Sequence, residues 1–308
     1  MGMSALNTNI DTPPKYIFLG ASGRIGRLLT ALYAEAAAPP VELFWQVRRR
    51  KSDLKNQFLW SDFKEAAPLI DCAKSVGGID GLFVFSSPAA DISRAPSHTL
   101  SLTVSLVEQA IIAAKSARIP RVVVASSSAV YGAGCGVPFM ESDPLEPVNP
   151  YGQAKRDMEL RARELAQKLG IELCLLRIGN VAGADALLGA AGQRTADDEP
   201  VSLDIYPDGA GPRRSYIGPE RLLEALCDLA MHRAMLPTVL NIAAQRPVSM
   251  NALLDAAQIP WVARHVPASP KQDIVLNCEA LAQLSGGAPS DSAADEIISQ
   301  WHKALSAT

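Results

Sequence analysis

The stretch YIFLGASGRIGRLL, residues 16–29, limits the possible folds more than any other part of the chain. An apolar run ends at Gly20, Gly23 and Gly26 follow at intervals of three, and Ile25, Leu28, Leu29 and Leu32 then share one side of an amphipathic segment. Glycine belongs where a strand turns tightly into a helix and an anion must approach the N–H groups at the helix's positive end without meeting a side chain. A glycine triplet also serves plain turns. Placed between a strand and a helix, it predicts a pyrophosphate cradle for a dinucleotide, with Gly20, Ser22, Gly23, Arg24, Ile25 and Gly26 as cofactor-binding residues.

The pattern continues. The runs VELFWQV, IDGLFVFSS, RVVVASS and IELCLLRIG alternate with longer amphipathic segments, among them SLTVSLVEQAIIAAKSA and a helix starting near Tyr151. Strands that are apolar throughout and separated by helices predict a doubly wound α/β fold with a parallel, Rossmann-type sheet buried on both faces. The 308 residues suffice for one large unit or two unequal domains. The expected layout is a disordered leader over 1–14, a dinucleotide-binding part over 15–180, and a smaller, irregular substrate-binding part over 181–308 with some segments returning to the sheet. The Gly-, Pro- and Asp-rich residues 181–215 are the kind of chain that builds a cleft over a rigid scaffold.

Composition narrows the function classes. With 48% apolar and 20% charged residues and a net charge of −3, the chain reads as a soluble globular protein with no nucleic-acid stripe. Five scattered cysteines without a C-x-x-C pair suit a reducing cytoplasm, and four isolated histidines give no metal spacing, so no metal is expected. No apolar run approaches the roughly 20 residues of a membrane span, so no membrane partner is expected.

The second strand shows which dinucleotide to expect. NAD sites usually carry a carboxylate at its end, for the adenosine ribose. Here VELFWQV runs into Arg48, Arg49, Arg50 and Lys51. Guanidinium forks match a 2′-phosphate, which favours NADP over NAD, with Arg48 and Arg49 as contacts and Arg24 as a further one. A solvated basic turn would have the same composition.

At the end of the fifth strand stands RVVVASSSAVYG, and Tyr151 and Lys155 follow in NPYGQAK, one helical turn apart on the same face. A lysine ammonium beside a phenol favours the phenolate. Taken in order, Gly20–Gly26, Ser126–Gly132, Tyr151-x-x-x-Lys155 and LLRIGNVAG resemble the extended short-chain dehydrogenase/reductases, the NAD-dependent epimerase/dehydratase family, over about the first 180 residues.

The resemblance implies that Ser127, Tyr151 and Lys155 are catalytic. Tyr151 would exchange a proton with the substrate oxygen, Lys155 would hold the nicotinamide ribose, and Ser127 would hydrogen-bond the reacting oxygen while hydride moves. It also implies that Asn180 and Arg214, or its neighbour Arg213, contact a substrate diphosphate, that Asp62 touches adenine, and that a homodimer forms through two helices. A turn aspartate and a structural ion pair are the plain alternatives for Asp62 and Arg214. Ser128 and Ala129 stand where 4,6-dehydratases carry Asp and Glu, which disfavours dehydration, and Glu220 and Arg221 depart from the family's later aspartate. The fourth-strand motif LFVFSSPAA departs from the family as well.

The expected function is NAD(P)-dependent hydride transfer at a hydroxyl or carbonyl carbon of a small-molecule substrate, a nucleotide-linked sugar. A nucleotide-sugar 4-epimerase that retains NAD is the alternative from the same family. A non-catalytic dinucleotide sensor is the alternative of another class.

Overall fold

The computed structural model describes residues 12–52, 54–87, 97–134, 136–191, 199–267, 273–285 and 293–307. Most of the leader expected over 1–14, residues 88–90 of the fourth-strand motif and residues 192–198 of the irregular stretch lie outside these.

The first half alternates as β1 (Lys15–Leu19), α1 (Arg24–Glu35), β2 (Glu42–Val47), β3 (Gln57–Leu59), α2 (Ala67–Ser75), β4 (Gly81–Val84), α3 (Ser97–Ser116), β5 (Arg121–Ser127), α4 (Pro150–Leu169) and β6 (Glu172–Ile178). The second half contributes β7 (Asn180–Val181), α5 (Leu188–Ala191), β8 (Val201–Ile205), β9 (Arg213–Arg214), β10 (Tyr216–Ile217) and α6 (Pro219–Met231). It continues with β11 (Val239–Ile242), β12 (Val248–Ser249), α7 (Met250–Ala256), β13 (Trp261–His265), α8 (Glu279–Leu284) and α9 (Ala294–Ser306).

Seven parallel strands form the central sheet in the order β3-β2-β1-β4-β5-β6-β11, so a late segment completes an edge begun by β6. The apolar runs become strands because alternate residues have a core on either side. Tyr16 and Phe18 face one hydrophobic cluster with Leu29 and Trp45, while Ile17 and Leu19 face the other with Leu82, Ile111 and Val124. The chain therefore has the doubly wound Rossmann-type architecture. The remaining strands make short pairs, β7 with β10, β8 with β13 and β9 with β12. No helix of the described residues is long and apolar enough to cross a membrane.

Helix α4 matters most for the site, and its start is locally encoded. The Asn149 side chain accepts from the Gly152 N–H at 2.8 Å and Pro150 opens the first turn, while Gly170, at φ +64°, closes the far end in the left-handed conformation. Such a cap contributes about 1 kcal/mol. It also fixes where Tyr151 leaves the helix, one residue into its first turn.

Candidate active site

The glycine loop joins β1 to α1 with little room to spare. Gly20 has φ +104°, and a Cβ there would lie 2.8 Å from the Ser86 backbone nitrogen of the adjoining strand end. A Cβ on Gly26 would fall 2.3 Å from the Gly20 carbonyl oxygen, so α1 packs directly on the loop. Gly23 is the N-cap of α1, and no side chain caps that end. The first N–H groups of the helix, next to Ser22 and including those of Arg24 and Ile25, are therefore left for an anion, and the loop fits a pyrophosphate.

At the carboxyl end of β2, Gln46 is buried beneath this loop. Its Oε1 accepts from the Gly20 N–H at 3.1 Å and its Nε2 donates to the Trp60 carbonyl at 2.5 Å, tying the ends of three strands together. A neutral amide thus occupies the strand end where NAD-binding folds place a carboxylate. Arg48, Arg49 and Arg50 follow, all exposed and without a hydrogen bond or ion pair among the described residues. Arg48 shares a shallow cavity of about 220 Å³ with Trp60, Asp62 and Glu65. The carboxylate of the exposed Asp62 accepts from the Lys64 N–H at 3.0 Å, a turn contact.

The ends of β5 and α4 meet at the candidate catalytic residues. Lys155 is buried, its Nζ donates to the Ala125 carbonyl at 2.8 Å, and it lies 6.0 Å from the centre of the Tyr151 ring. Tyr151 is half-buried, and its hydroxyl has no partner among the described residues. Ser127 Oγ accepts from the Ala129 N–H at 3.2 Å, which leaves the hydroxyl proton available to a reacting oxygen.

Behind these three groups lies a polar network that inspection of the sequence misses. Ser126 Oγ donates to Glu159 Oε1 at 2.6 Å, and Arg177 holds both Glu159 oxygens through Nε and Nη2. Arg177 Nη1 reaches the Tyr131 hydroxyl at 3.0 Å, and that hydroxyl donates to Asn241 Oδ1 at 2.7 Å. Burial pushes the Tyr131 phenol up to about 12 against the pull of Arg177, so it remains a neutral structural group. One signal was legible: a charged residue inside the apolar run LCLLRIG, which requires a buried partner.

On the side of the second half, Asn180 pairs in register with Tyr216, and its side chain acts on the Tyr216 hydroxyl. That hydroxyl donates to Asp185 Oδ2 at 2.7 Å. Burial raises the Asp185 carboxyl above the usual carboxylate range and the Tyr216 phenol well above its ordinary value. Arg24, exposed at the start of α1, donates to the Asp185 carbonyl at 3.5 Å and so links the glycine loop to this segment. Arg214 is half-buried and bonds the Arg213 carbonyl at 2.9 Å. Burial lowers its pKa, against the opposing pull of Tyr216, Tyr206 and Asp273. Arg213 is exposed. Of the two departures from the family segment, Glu220 pairs with Lys303 and Arg221 with Glu224.

A glycine-lined helix end at the carboxyl ends of the strands of a seven-stranded parallel sheet, with a serine, a tyrosine and a lysine on neighbouring elements, defines a Rossmann-type dinucleotide-binding protein. The sequence profile of the NAD dependent epimerase/dehydratase family matches residues 17–199. The chain belongs to that family.

It is similar to the UDP-glucose 4-epimerase of Azospirillum brasilense, 44% identical over 79 residues, and to that of Lacticaseibacillus casei, 28% identical over 215 residues. These matches cover 26% and 60% of this chain and 22% and 64% of the relatives, so the chain spans less than two thirds of either relative's length. The solved UDP-glucose 4-epimerase of Brucella ovis in complex with NAD has the same fold, at a TM-score of 0.73 and 21% identity over 92% of this chain and 96% of its own.

Proposed function

We propose that this chain is an NADP(H)-dependent oxidoreductase that moves hydride to or from a hydroxyl or carbonyl carbon of a nucleotide-linked sugar. The observation that carries the cofactor choice is the end of β2. Gln46 puts no negative charge under the adenosine side, and three unpaired arginines stand directly beyond it. A ribose 2′-phosphate is repelled by a carboxylate and gripped by guanidinium forks, so this combination favours NADP over NAD.

In this reading the nicotinamide, when bound, supplies or accepts the hydride. Tyr151 passes the proton to or from the substrate oxygen, the free hydroxyl proton of Ser127 orients that oxygen, and Lys155 holds the ribose from its seat on the Ala125 carbonyl. Asn180 and Arg214 serve the substrate diphosphate, with Asn180 held in register beside Tyr216. Residues 15–180 form the cofactor part and most of 181–308 the substrate part. Arg24 and Asp185 make one contact between them.

The relatives' names support a second reading, a 4-epimerase that keeps its NAD and oxidises and re-reduces the same carbon. Titrating the purified protein with NADPH and NADH at fixed salt, then following NADPH loss with a panel of UDP-hexoses and their keto derivatives, separates the two. Preference for NADPH with net consumption supports the reductase. Tightly held NAD with interconversion of UDP-glucose and UDP-galactose, and no net redox change, supports the epimerase.

We also propose that two copies pair through α3 and α4. Leu102 and Ile112 on α3 and Leu160 on α4 are large apolar side chains left exposed, and α3 lies against α4 with Arg161 bonded to Glu108. Sedimentation of the protein checks this. The scattered thiols suit a cytoplasmic enzyme.

A further inference from the structure

From the contacts of Ser126, Glu159 and Arg177 we propose that these residues form a positioning clasp, which holds the serine-bearing strand and the tyrosine- and lysine-bearing helix in catalytic register. This rests on the reading of Ser127, Tyr151 and Lys155 as the reacting groups and adds the residues that hold them in place.

Tyr151, Lys155 and Glu159 follow one another at successive turns of α4. The last two of these meet consecutive residues of β5. Lys155 bonds the Ala125 carbonyl, Glu159 accepts from the Ser126 hydroxyl, and Ser127 is next. Two bonds from adjacent turns of the helix thus fix the backbone immediately before Ser127. Neither Ser126 nor Glu159 can touch a substrate: Ser126 is 4% exposed and Glu159 0%.

A carboxylate at that depth is costly unless it is compensated, which accounts for Arg177. Arg177 is 2% exposed, holds Glu159 by a fork, and stands directly opposite Ser126 in the β5–β6 register. It is three residues before Asn180, so the same pair also fixes where β6 delivers the substrate-binding segment. Arg163 approaches Glu159 from one turn on, at 3.7 Å. A plain core could have filled this space with apolar side chains at little loss of stability. A charged fork fixes direction as well as distance, and displacing a reacting group by about 1 Å costs on the order of 100-fold in rate.

The test is made on the full chain loaded with NADPH. In Ser126→Ala, amide hydrogen exchange across residues 124–128 and 150–156 is expected to accelerate about tenfold while β1, β2 and α1 keep wild-type protection. Ser126→Thr, which retains a hydroxyl for Glu159, is expected to restore protection. With NADP+ in place of NADPH to accept the hydride, and UDP-glucose and UDP-galactose as probes, kcat of Ser126→Ala falls at least about tenfold while KM changes less than about twofold, the signature of lost alignment rather than lost binding.

Unchanged exchange in Ser126→Ala, or acceleration spread evenly over the whole protein, overturns the clasp even where neither sugar is turned over. The two levels of the proposal fail differently. Turnover that survives Tyr151→Phe sinks the catalytic reading, whereas turnover lost in Tyr151→Phe but intact, with full protection, in Ser126→Ala sinks the clasp alone.

Discussion

The carboxyl ends of β2 and β5 lie on the same sheet and are built in opposite ways. At β5, Lys155, Ser126, Glu159 and Arg177 are buried, and each is held by at least one directed hydrogen bond. At β2, one buried amide, Gln46, holds the backbone, and the arginines beyond it project unpaired into solvent. Chemistry needs reacting atoms fixed to fractions of an ångström, whereas recognition of a phosphate by long cationic side chains tolerates motion. The β5 end should therefore resist substitution, while the β2 end should accept it and change only its preference.

The sharpest way to break this contrast is at the reacting phenol. Tyr151→Phe is expected to lower kcat about 1000-fold or more while the NADPH dissociation constant moves less than about twofold, measured by steady-state kinetics and fluorescence titration. Next in size is the buried pair. Glu159→Leu alone should cost about 3–5 kcal/mol in denaturant unfolding because it strands Arg177, and Glu159→Leu with Arg177→Met should recover most of that loss.

At the other end, replacing Arg48 and Arg49 together by alanine should weaken NADPH binding about 10- to 100-fold and leave NADH binding unchanged, with no loss of stability. An equal loss for both cofactors would show that these arginines do not read the 2′-phosphate. The smallest effect is expected on the surface, where Arg161→Ala, although it breaks contacts to Glu108 and Glu164, should change stability by less than about 1 kcal/mol.

What could be read from the sequence was what its own neighbours encode. The glycine loop, the capped start of α4 and the Tyr151/Lys155 spacing each depend on residues within one or two turns, and the alternating apolar runs announced a sheet with two buried faces. The clasp was not legible, because Ser126, Glu159 and Arg177 come from three elements and meet only in the β5–β6 register. On a helix pattern alone, Glu159 reads as one more charge on a solvated face. Gln46 was hidden for a related reason: its partners, Gly20 and Trp60, are 26 and 14 residues away, and in VELFWQV it looks like an ordinary polar position. Arg24 shows the converse. Its place in the loop suggests the ribose phosphate, and the sequence gives no sign of its contact with the Asp185 carbonyl 161 residues ahead.

The arrival of β11 beside β6 has a consequence for synthesis. Six strands of the sheet are made by residue 178, but the one that covers β6 lies at 239–242. While a ribosome makes the intervening segment, the apolar strand ELCLLRI presents an unpaired edge, the kind of surface that recruits other chains. Chains that stop before residue 239 should therefore be the ones that clump, and a chaperone that waits for the nascent protein has a defined interval in which to act.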